Sequence, residues 1–249
     1  MRTGGPLTGE TAADVAVFGP DEIVLLPLYP QYSTTTTASS LKAWNAAYAG
    51  SGDARTVCCW PEAFGWIDAQ AEAIGRKLDE AGTADVRLLF SAHGIPERLV
   101  SAKGDPYQEQ VESTVAAVVA RLGEMGRSVD HAICYQSRVG PLKWLGPSTP
   151  EALEQAAREG KGVVVCPIAF LSEHVETLLE LDIEYAELAR ELGVAPYLRV
   201  PTAGVAAPFI AALADAAVHA LGRTGVSPYG PGCRGDWKAC PCQKERRAG

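Results

Sequence analysis

Residues Cys166–Tyr185, which read CPIAFLSEHVETLLELDIEY, decide the fold prediction. They overlap an apolar run from Gly162 to Phe170 that is short enough for one buried strand. The chain then turns into a helix, for which Ser172 is the expected N-cap. An α/β fold places its ligands where a strand ends and a helix begins. This stretch therefore predicts both an α/β fold and the position of its site.

The predicted helix carries a narrow stripe of carboxylates. At about 100° per residue, six glutamates share one face: Glu173, Glu176, Glu180, Glu184, Glu187 and Glu191. The stripe is typical of a solvated face, but stacked carboxylates also carry protons or hold a divalent cation in transit. On the opposite face, His174 fits a hydrogen-bonded structural role. Asp182 requires a partner there, because an unpaired carboxylate on an apolar face is costly.

Strands and helices alternate along the rest of the chain. Strands are predicted at Asp21–Leu28, Val86–Phe90, His131–Tyr135 and Pro196–Pro201, and helices from about Ser40 and at Phe64–Leu78, Asp105–Leu122 and Gly204–Leu221. The alternation predicts a parallel, doubly wound sheet. Cys134 and Cys166 lie within strands and are expected to be buried packing residues.

Three loops after strands hold further candidates. His93 follows a buried strand within Ser91-Ala92-His93-Gly94, and the glycine and the later Pro96 fix the backbone at the strand end. Tyr29 opens a hydroxyl-rich loop, which is either an ordinary polar connection or a surface that exposes backbone N–H groups. Trp144 lies in a loop shaped by two glycines and two prolines, where it fits the edge of a core.

Three cysteines in the C-terminal tail form the pattern C-x6-C-x-C, at Cys233, Cys240 and Cys242. Three thiolates in such a short segment suit a metal site, either zinc or iron–sulfur. The spacing matches neither half of a common zinc CxxC pair. Reactive tail thiols that bind no metal are the alternative.

The composition limits the class of protein. The chain has 249 residues, of which 47% are apolar, and a net charge of −8, which is enough for one large domain or two small ones. A mean hydropathy of zero and the absence of a long apolar run argue against a membrane-spanning helix. The acidic balance argues against nucleic acid as a partner, and no signal peptide is visible. We expect a cytoplasmic protein whose seven cysteines bind metal or lie in cores.

Several segments resemble ferrochelatases, the enzymes that insert ferrous iron into porphyrin. These segments are LPLYPQYSTTTTASS (Leu26–Ser40), LLFSAHGIPERLV (Leu88–Val100), GDPY (Gly104–Tyr107), YQSRVGPLKWLGP (Tyr135–Pro147) and SEHVETLLELDIEY (Ser172–Tyr185). They occur in the order and at the spacing of that family. Together they span nearly the whole chain.

The resemblance implies a chelatase-like α/β fold of two Rossmann-like parallel-sheet halves, the first of them truncated. Residues 1–85 would be the remainder of the N-terminal half, 86–222 the C-terminal half, and 223–249 a cysteine-containing tail. Roughly 100 residues of the family's first half, about one small domain, are expected to be missing. The strand at Asp21–Leu28 would then lack its neighbours and expose apolar surface. A partial gene, a wrong start site and a degraded copy all fit this pattern.

The resemblance also implies roles for the cleft residues. His93 resembles the family's catalytic histidine, which faces the pyrrole nitrogens, and Glu176 would carry protons or guide iron with Glu180 behind it. His93 and Glu176 are accordingly the candidate iron-binding residues. The positions that would bind the porphyrin are Tyr29, Ser91 and Trp144. In the family this helix contains a π-bulge, which would rotate Glu180 relative to an ideal helix.

Some ferrochelatases hold a [2Fe–2S] cluster on three C-terminal cysteines and one distant cysteine. The resemblance implies Cys233, Cys240 and Cys242 as three of the ligands. The fourth would be Cys59, with the adjacent Cys58 as the alternative. The role of such a cluster would be structural or regulatory, because iron insertion requires no electron transfer.

The implied activity is that of a lyase, inserting ferrous iron into protoporphyrin IX to form protoheme in heme biosynthesis. One alternative substrate is coproporphyrin III, and one alternative role is a truncated, non-catalytic remnant that binds porphyrin or a cluster. A chelatase for cobalt or nickel fits the motifs less well. The expected partners are protoporphyrin IX and ferrous iron. The protein would be a monomer or a homodimer, in the cytoplasm or peripheral at the inner membrane.

Overall fold

A computed structural model describes residues 5–230 and 237–242 of the chain. The strands are β1 (Glu22–Leu25), β2 (Asp53–Val57), β3 (Val86–His93), β4 (Asp130–Gln136), β5 (Gly162–Pro167), β6 (Tyr197–Arg199) and β7 (Val226–Ser227). The helices are α1 (Thr8–Phe18), α2 (Thr37–Ala47), α3 (Phe64–Ala81), α4 (Glu97–Ser101), α5 (Tyr107–Glu124), α6 (Thr149–Arg158), α7 (Val175–Leu178), α8 (Tyr185–Glu191) and α9 (Ala207–Leu221). A π-helix, Glu180–Glu184, stands between α7 and α8.

The strands form two parallel sheets, which confirms the predicted α/β class with parallel-sheet halves. The first sheet has the order β1-β2-β7, and the second has the order β4-β3-β5-β6. In the second sheet, β3 lies between β4 and β5, so the strand order reverses beside β3. Open parallel sheets bind ligands in the crevice at such a reversal, outside the carboxyl ends of the strands.

The second sheet is buried on both faces. Along β3, Leu88 and Phe90 pack into the apolar cluster that holds α3 and α5, whereas Leu89 packs into the cluster that holds α6 and α8. Side chains alternate between the faces of a strand, so each face of β3 contributes to a different core. Every residue of β5 is buried, as expected for a central parallel strand.

The chain returns to the first sheet after the second is complete. Helix α9 packs against α3, β1 and β2, and β7 then pairs with β2. The ring of Phe209 in α9 lies 5.8 Å from the ring of Trp60 and 5.7 Å from that of Trp66. The division made from sequence, which places α9 within residues 86–222, stays a prediction.

The close approach of α9 to α3 gives a stability prediction. A Cβ at Gly65 would lie 2.1 Å from the backbone oxygen of Pro208, which cannot rotate away. We expect Gly65→Ala to lower the free energy of unfolding by about 1–3 kcal/mol, measured by urea denaturation. Gly123→Ala is the matched control, because that helical glycine has no atom within 4 Å of the added Cβ. Equal stability of the two variants would contradict this packing.

The glutamate-bearing helix begins later than predicted. Its N-cap is His174 rather than Ser172, since the Nδ1 atom of His174 accepts the backbone N–H of Glu176 at 3.2 Å. Thr177 completes the cap, because its hydroxyl oxygen accepts the backbone N–H of His174 at 3.0 Å. Sequence preference favours serine at this position, but here the side chains of His174 and Thr177 accept the backbone N–H groups at the start of the helix. The expected π-helical turn is confirmed and begins at Glu180.

Strand β1 lies at the edge of the first sheet. It pairs with β2 on one side, so the prediction of a strand without neighbours is wrong on that side. No described residue pairs with its other edge. Leu28, just after β1, and Phe18 at the end of α1 are exposed. Within the described ranges, no helix combines the length and the hydrophobicity needed to cross a bilayer.

Candidate active site

A cleft of about 960 Å³ lies between the two sheets. Its walls come from the end of β1 and the loop that follows, from the last residue of β3, from the loop after β5, and from α2 and α9. Most of the lining side chains are apolar or aromatic, and none of the described ones is a lysine or an arginine. The polar groups that converge on it include His93, His174 and Glu176. Such a cleft suits a largely apolar ligand that is held by a few polar contacts.

His93 ends β3 and faces this cleft. Its Nδ1 atom lies 2.6 Å from the carbonyl oxygen of Gly94, and its Nε2 atom lies 3.1 Å from Oε1 of Glu176. A carbonyl oxygen only accepts, so Nδ1 carries a hydrogen and donates it. Nε2 is therefore the atom that gains or loses a proton. Gly94 is required here, because a Cβ would lie 2.9 Å from the backbone oxygen of Gln136.

His93 and Glu176 shift each other's pKa in opposite directions. Burial is the largest single influence on the pKa of His93, and it lowers that pKa. The hydrogen bond and negative charge of Glu176, the Gly94 carbonyl and the charge of Glu180 together outweigh burial. The pKa of His93 is therefore raised above its ordinary value. The hydrogen bond from His93 in turn lowers the pKa of Glu176, against the opposing effect of burial. The site therefore holds a base that is stronger than a solvated imidazole and has a fixed carboxylate beside it.

Glu180 is held by the loop that follows β4. Its carboxylate accepts hydrogen bonds from the backbone N–H of Ser137 at 3.1 Å and from the Ser137 hydroxyl at 2.8 Å. The side-chain amide of Gln136 donates to Oε2 of Glu180 at 3.2 Å and to the backbone oxygen of Glu176 at 2.6 Å. Ser137 has a φ of 57°, which is uncommon for a residue other than glycine. The last residue of β4 and the residue after it therefore hold both glutamates.

The sequence-predicted residues divide into two groups. His93, Glu176 and Tyr29 line the cleft, and Glu180 lies behind Glu176. Ser91 is fully buried and donates its hydroxyl hydrogen to Oε1 of Gln136 at 2.8 Å, so it supports the site without lining it. Trp144 also lies outside the lining and pairs through its backbone with Pro96.

Several residues that line the cleft were not predicted from the sequence. Phe170 places its ring 6.3 Å from that of His93 and 5.2 Å from that of His174. Trp44 lines the cleft from α2. Tyr107 lines it too, and its buried hydroxyl lies within hydrogen-bonding reach of the backbone of His93. Its position within the quoted GDPY segment was the available signal.

The cysteines form a separate, buried cluster. Cys58, Cys59, Cys240 and Cys242 pack with Tyr32 and Trp237. The Sγ atoms of Cys58 and Cys242 lie 3.1 Å apart, and those of Cys58 and Cys59 lie 3.8 Å apart. The Sγ atom of Cys59 also accepts the side-chain amide of Gln110 at 3.5 Å. Cys233 lies outside the described residues.

Neither site contains a complete metal centre within residues 5–230 and 237–242. No three His, Cys, Asp or Glu side chains in those ranges are arranged to hold a metal ion. Thiolates are nevertheless the donors that iron–sulfur clusters use, so the chemistry of the buried cysteines fits such a group.

Solved structures that share this fold include SirB and CbiX. SirB from Bacillus subtilis with Fe3+ matches with a TM-score of 0.57 and 13% identity, covering 88% of this chain and 81% of that one. CbiX, described as the terminal enzyme for biosynthesis of siroheme in denitrifying bacteria, matches with a TM-score of 0.54 and 16% identity, over 82% of this chain and 78% of that one. At these identities the likeness concerns the fold alone.

Sequence relatives identify the family. The family model described as Ferrochelatase matches residues 1–221. The chain is 58% identical over 245 residues to a ferrochelatase from Phenylobacterium zucineum and 55% identical over 248 residues to one from Caulobacter vibrioides. Each match covers 98% of this chain and 70% of the relative. A ferrochelatase from Hyphomonas neptunium is 44% identical over 254 residues, covering the whole chain and 70% of the relative. The chain therefore belongs to the ferrochelatase family.

Proposed function

We propose that this chain inserts ferrous iron into protoporphyrin IX and so forms protoheme in heme biosynthesis. The observation that carries the proposal is the hydrogen-bonded pair of His93 and Glu176, which faces a mostly apolar cleft in a member of the ferrochelatase family. The name of the family implies ferrous iron and a porphyrin as its substrates. A flat macrocycle fits an apolar cleft that carries few polar groups.

The reaction is an exchange of protons for metal. The free porphyrin carries two pyrrole N–H hydrogens inside a rigid ring, and Fe²⁺ displaces both as protons without any change of oxidation state. Binding that bends the ring tilts a pyrrole lone pair out of the plane, and contacts with the rest of the macrocycle offset the strain. The protein must therefore grip the ring, accept protons and let the metal approach.

His93 is the proposed general base, acting through Nε2. The neutral imidazole takes a pyrrole proton, and the carboxylate of Glu176 stabilises the imidazolium that results. Glu180, one turn behind and fixed by Ser137, accepts the proton in turn or guides iron toward the ring. His93 and Glu176 are also the proposed contacts of the incoming iron.

The ring is proposed to pack on aromatic side chains. Tyr29 and Phe170 both line the cleft and offer apolar faces. Tyr107 lines the cleft beside His93 and is proposed to contact the ring as well. Ser91 and Trp144 are proposed to act from behind the surface, Ser91 through Gln136 and Trp144 through Gly94, which it packs against.

Zinc insertion by the purified 249-residue chain tests the proposal. We would follow the loss of free-porphyrin fluorescence with Zn²⁺ and either protoporphyrin IX or coproporphyrin III. The proposal expects turnover with a higher kcat/KM for protoporphyrin IX. A preference for coproporphyrin III would change the substrate, and bound porphyrin without metal insertion would support a non-catalytic remnant instead.

We also propose a [2Fe–2S] cluster held by Cys58, Cys233, Cys240 and Cys242. The contact of Cys58 with Cys242 supports Cys58 over Cys59, which the sequence comparison favoured. The pKa of Tyr32 is raised, first by burial and then by the charge of Asp105. Smaller contributions come from three cysteines that lie near it: Cys58, Cys240 and Cys242. The cluster would supply a covalent tie between the tail and the first sheet, and iron insertion would not pass through it.

The two adjacent cysteines give a matched pair of variants. We expect Cys58→Ser to abolish the visible absorption of the cluster and its iron and acid-labile sulfide content, because it removes a thiolate ligand. Cys59→Ser should retain all three. The reverse result would return the ligand role to Cys59, and absence of iron and sulfide from the anaerobically purified wild-type chain would remove the cluster proposal.

A further inference from the structure

The segment that carries the two site glutamates has little apolar anchorage. Between Glu173 and Ile183, only Thr177 and Leu181 are buried. Four large apolar side chains of the segment are exposed: Val175, Leu178, Leu179 and Ile183. Helix α7 spans only four residues before the π-helix begins, so its own hydrogen bonds contribute little to its stability. Polar contacts must therefore hold the segment in place.

Arg199 supplies such contacts at both ends of this segment. Its Nε and Nη2 atoms donate to the two carboxylate oxygens of Asp182 at 2.6 and 2.7 Å. Its Nη1 atom donates to Oε1 of Glu173 at 2.7 Å. Glu173 precedes the helix and Asp182 lies within the π-helix, so Glu176 and Glu180 lie between the two anchor points. Arg199 is thus the partner that the sequence required for Asp182.

The guanidinium is attached to a rigid part of the fold. Arg199 is the last residue of β6 and pairs with Val165 of β5. The backbone N–H of Val200 donates to the oxygen of Val165 at 2.8 Å. The Arg199 side chain is only 16% exposed, and the backbone N–H of Thr202 gives Glu173 a further donor at 3.0 Å. A planar fork that donates along three directions suits this geometry, whereas the compact lysine ammonium does not.

We propose that Arg199 is a positioning residue for metal insertion: by holding Glu173 and Asp182, it fixes the segment between them so that Glu176 meets His93 and Glu180 meets Ser137. The inference rests on the proposed function, since it assigns Arg199 a part in that reaction. Arg199 does not line the cleft, so it acts through the glutamates and not on the substrate.

The chain offers a matched control. Arg87, near the start of β3, also binds two carboxylates, with Nη2 at 2.7 Å from Asp130 and 2.7 Å from Glu159. Its side chain is 12% exposed, similar to that of Arg199. It lies at the opposite end of the strand from His93. Arg87→Gln therefore removes a comparable ion-pair group without touching the glutamate-bearing segment.

The activity test measures the effect of Arg199→Gln on Zn²⁺ insertion in the wild-type chain and in the Glu176→Gln/Glu180→Gln variant. We expect Arg199→Gln to lower kcat/KM for Zn²⁺ insertion by about 10²-fold, the cost of a misplaced site group. In the Glu176→Gln/Glu180→Gln background the same change should alter the residual rate by no more than about twofold, because the groups it positions are absent. Arg87→Gln should have the same small effect in both backgrounds. An equal fold-loss on Arg199→Gln in both backgrounds would overturn the proposal.

Hydrogen exchange provides a readout that does not depend on activity. We expect Arg199→Gln to speed amide exchange in residues 175–184 by more than about tenfold while β3 and β5 keep their protection. Asp182→Asn, which removes one charge and preserves shape, should show the same pattern more weakly if Arg199→Gln fails to fold. Unchanged amide exchange in residues 175–184 would refute the positioning role of Arg199. Inactivity of the wild-type chain with faster exchange in the variant would instead count against the proposed function alone.

Discussion

His93→Ala should lower kcat for Zn²⁺ insertion into protoporphyrin IX by about 10²–10⁴-fold, the usual contribution of a positioned general base. The loss follows from the geometry, because Gly94 holds Nδ1 and leaves Nε2 as the atom that accepts protons. Initial rates from porphyrin fluorescence at saturating metal measure it. The variant should still bind porphyrin, since most of the cleft lining is apolar and remains intact.

His131→Ala is the control for that variant. His131 is exposed near the start of β4, and its Nδ1 atom lies 3.4 Å from the carbonyl oxygen of Val129. Its removal should leave kcat within about twofold, as for a surface change distant from the site. If His93→Ala kept the wild-type kcat, His93 would not be the base, and the proton would have to pass to another group of the cleft.

Glu176→Gln should produce the second large effect, a loss in kcat/KM of about 10²-fold together with a changed pH profile. The negative charge of Glu176 stabilises imidazolium and so raises the pKa of His93. Without that charge the pKa of His93 falls, and the neutral, proton-accepting form persists to lower pH. The acidic limb of the kcat/KM profile should therefore move to lower pH, while the plateau falls because the imidazolium loses its partner.

Glu191→Gln controls for the loss of a carboxylate from the same helical region. Glu191 ends α8 and is exposed, so its amide variant should keep both the plateau and the position of the acidic limb. A shift of the limb to higher pH in Glu176→Gln would contradict the effect of Glu176 on the pKa of His93. An unshifted limb would mean that a group other than His93 controls the profile.

Patterns among residues that are close together in the sequence predicted most of the fold. The central strand Gly162–Pro167 was evident because a fully buried parallel strand is a continuous apolar run. The position of His93 followed from its place at a strand end, and the family resemblance predicted the π-turn at Glu180. These features depend on residues that are adjacent or one turn apart.

Features that depend on distant contacts were not predictable. Arg199 meets Glu173 and Asp182 across gaps of 26 and 17 residues, and no local pattern encodes that contact. Which of Cys58 and Cys59 is the better candidate for the proposed cluster ligand depends on which sulfur lies near Cys242, 184 residues beyond Cys58.

Anaerobic insertion of Fe²⁺ into protoporphyrin IX should be compared among the wild-type chain, His93→Ala, Glu176→Gln and the double variant, because it measures the proposed reaction and the joint action of the two residues. The wild-type chain should form protoheme, and the double variant should be no slower than His93→Ala alone, because residues that act as a unit are strongly non-additive. Losses that multiply in the double variant, or a folded wild-type chain that forms no protoheme, would contradict the account.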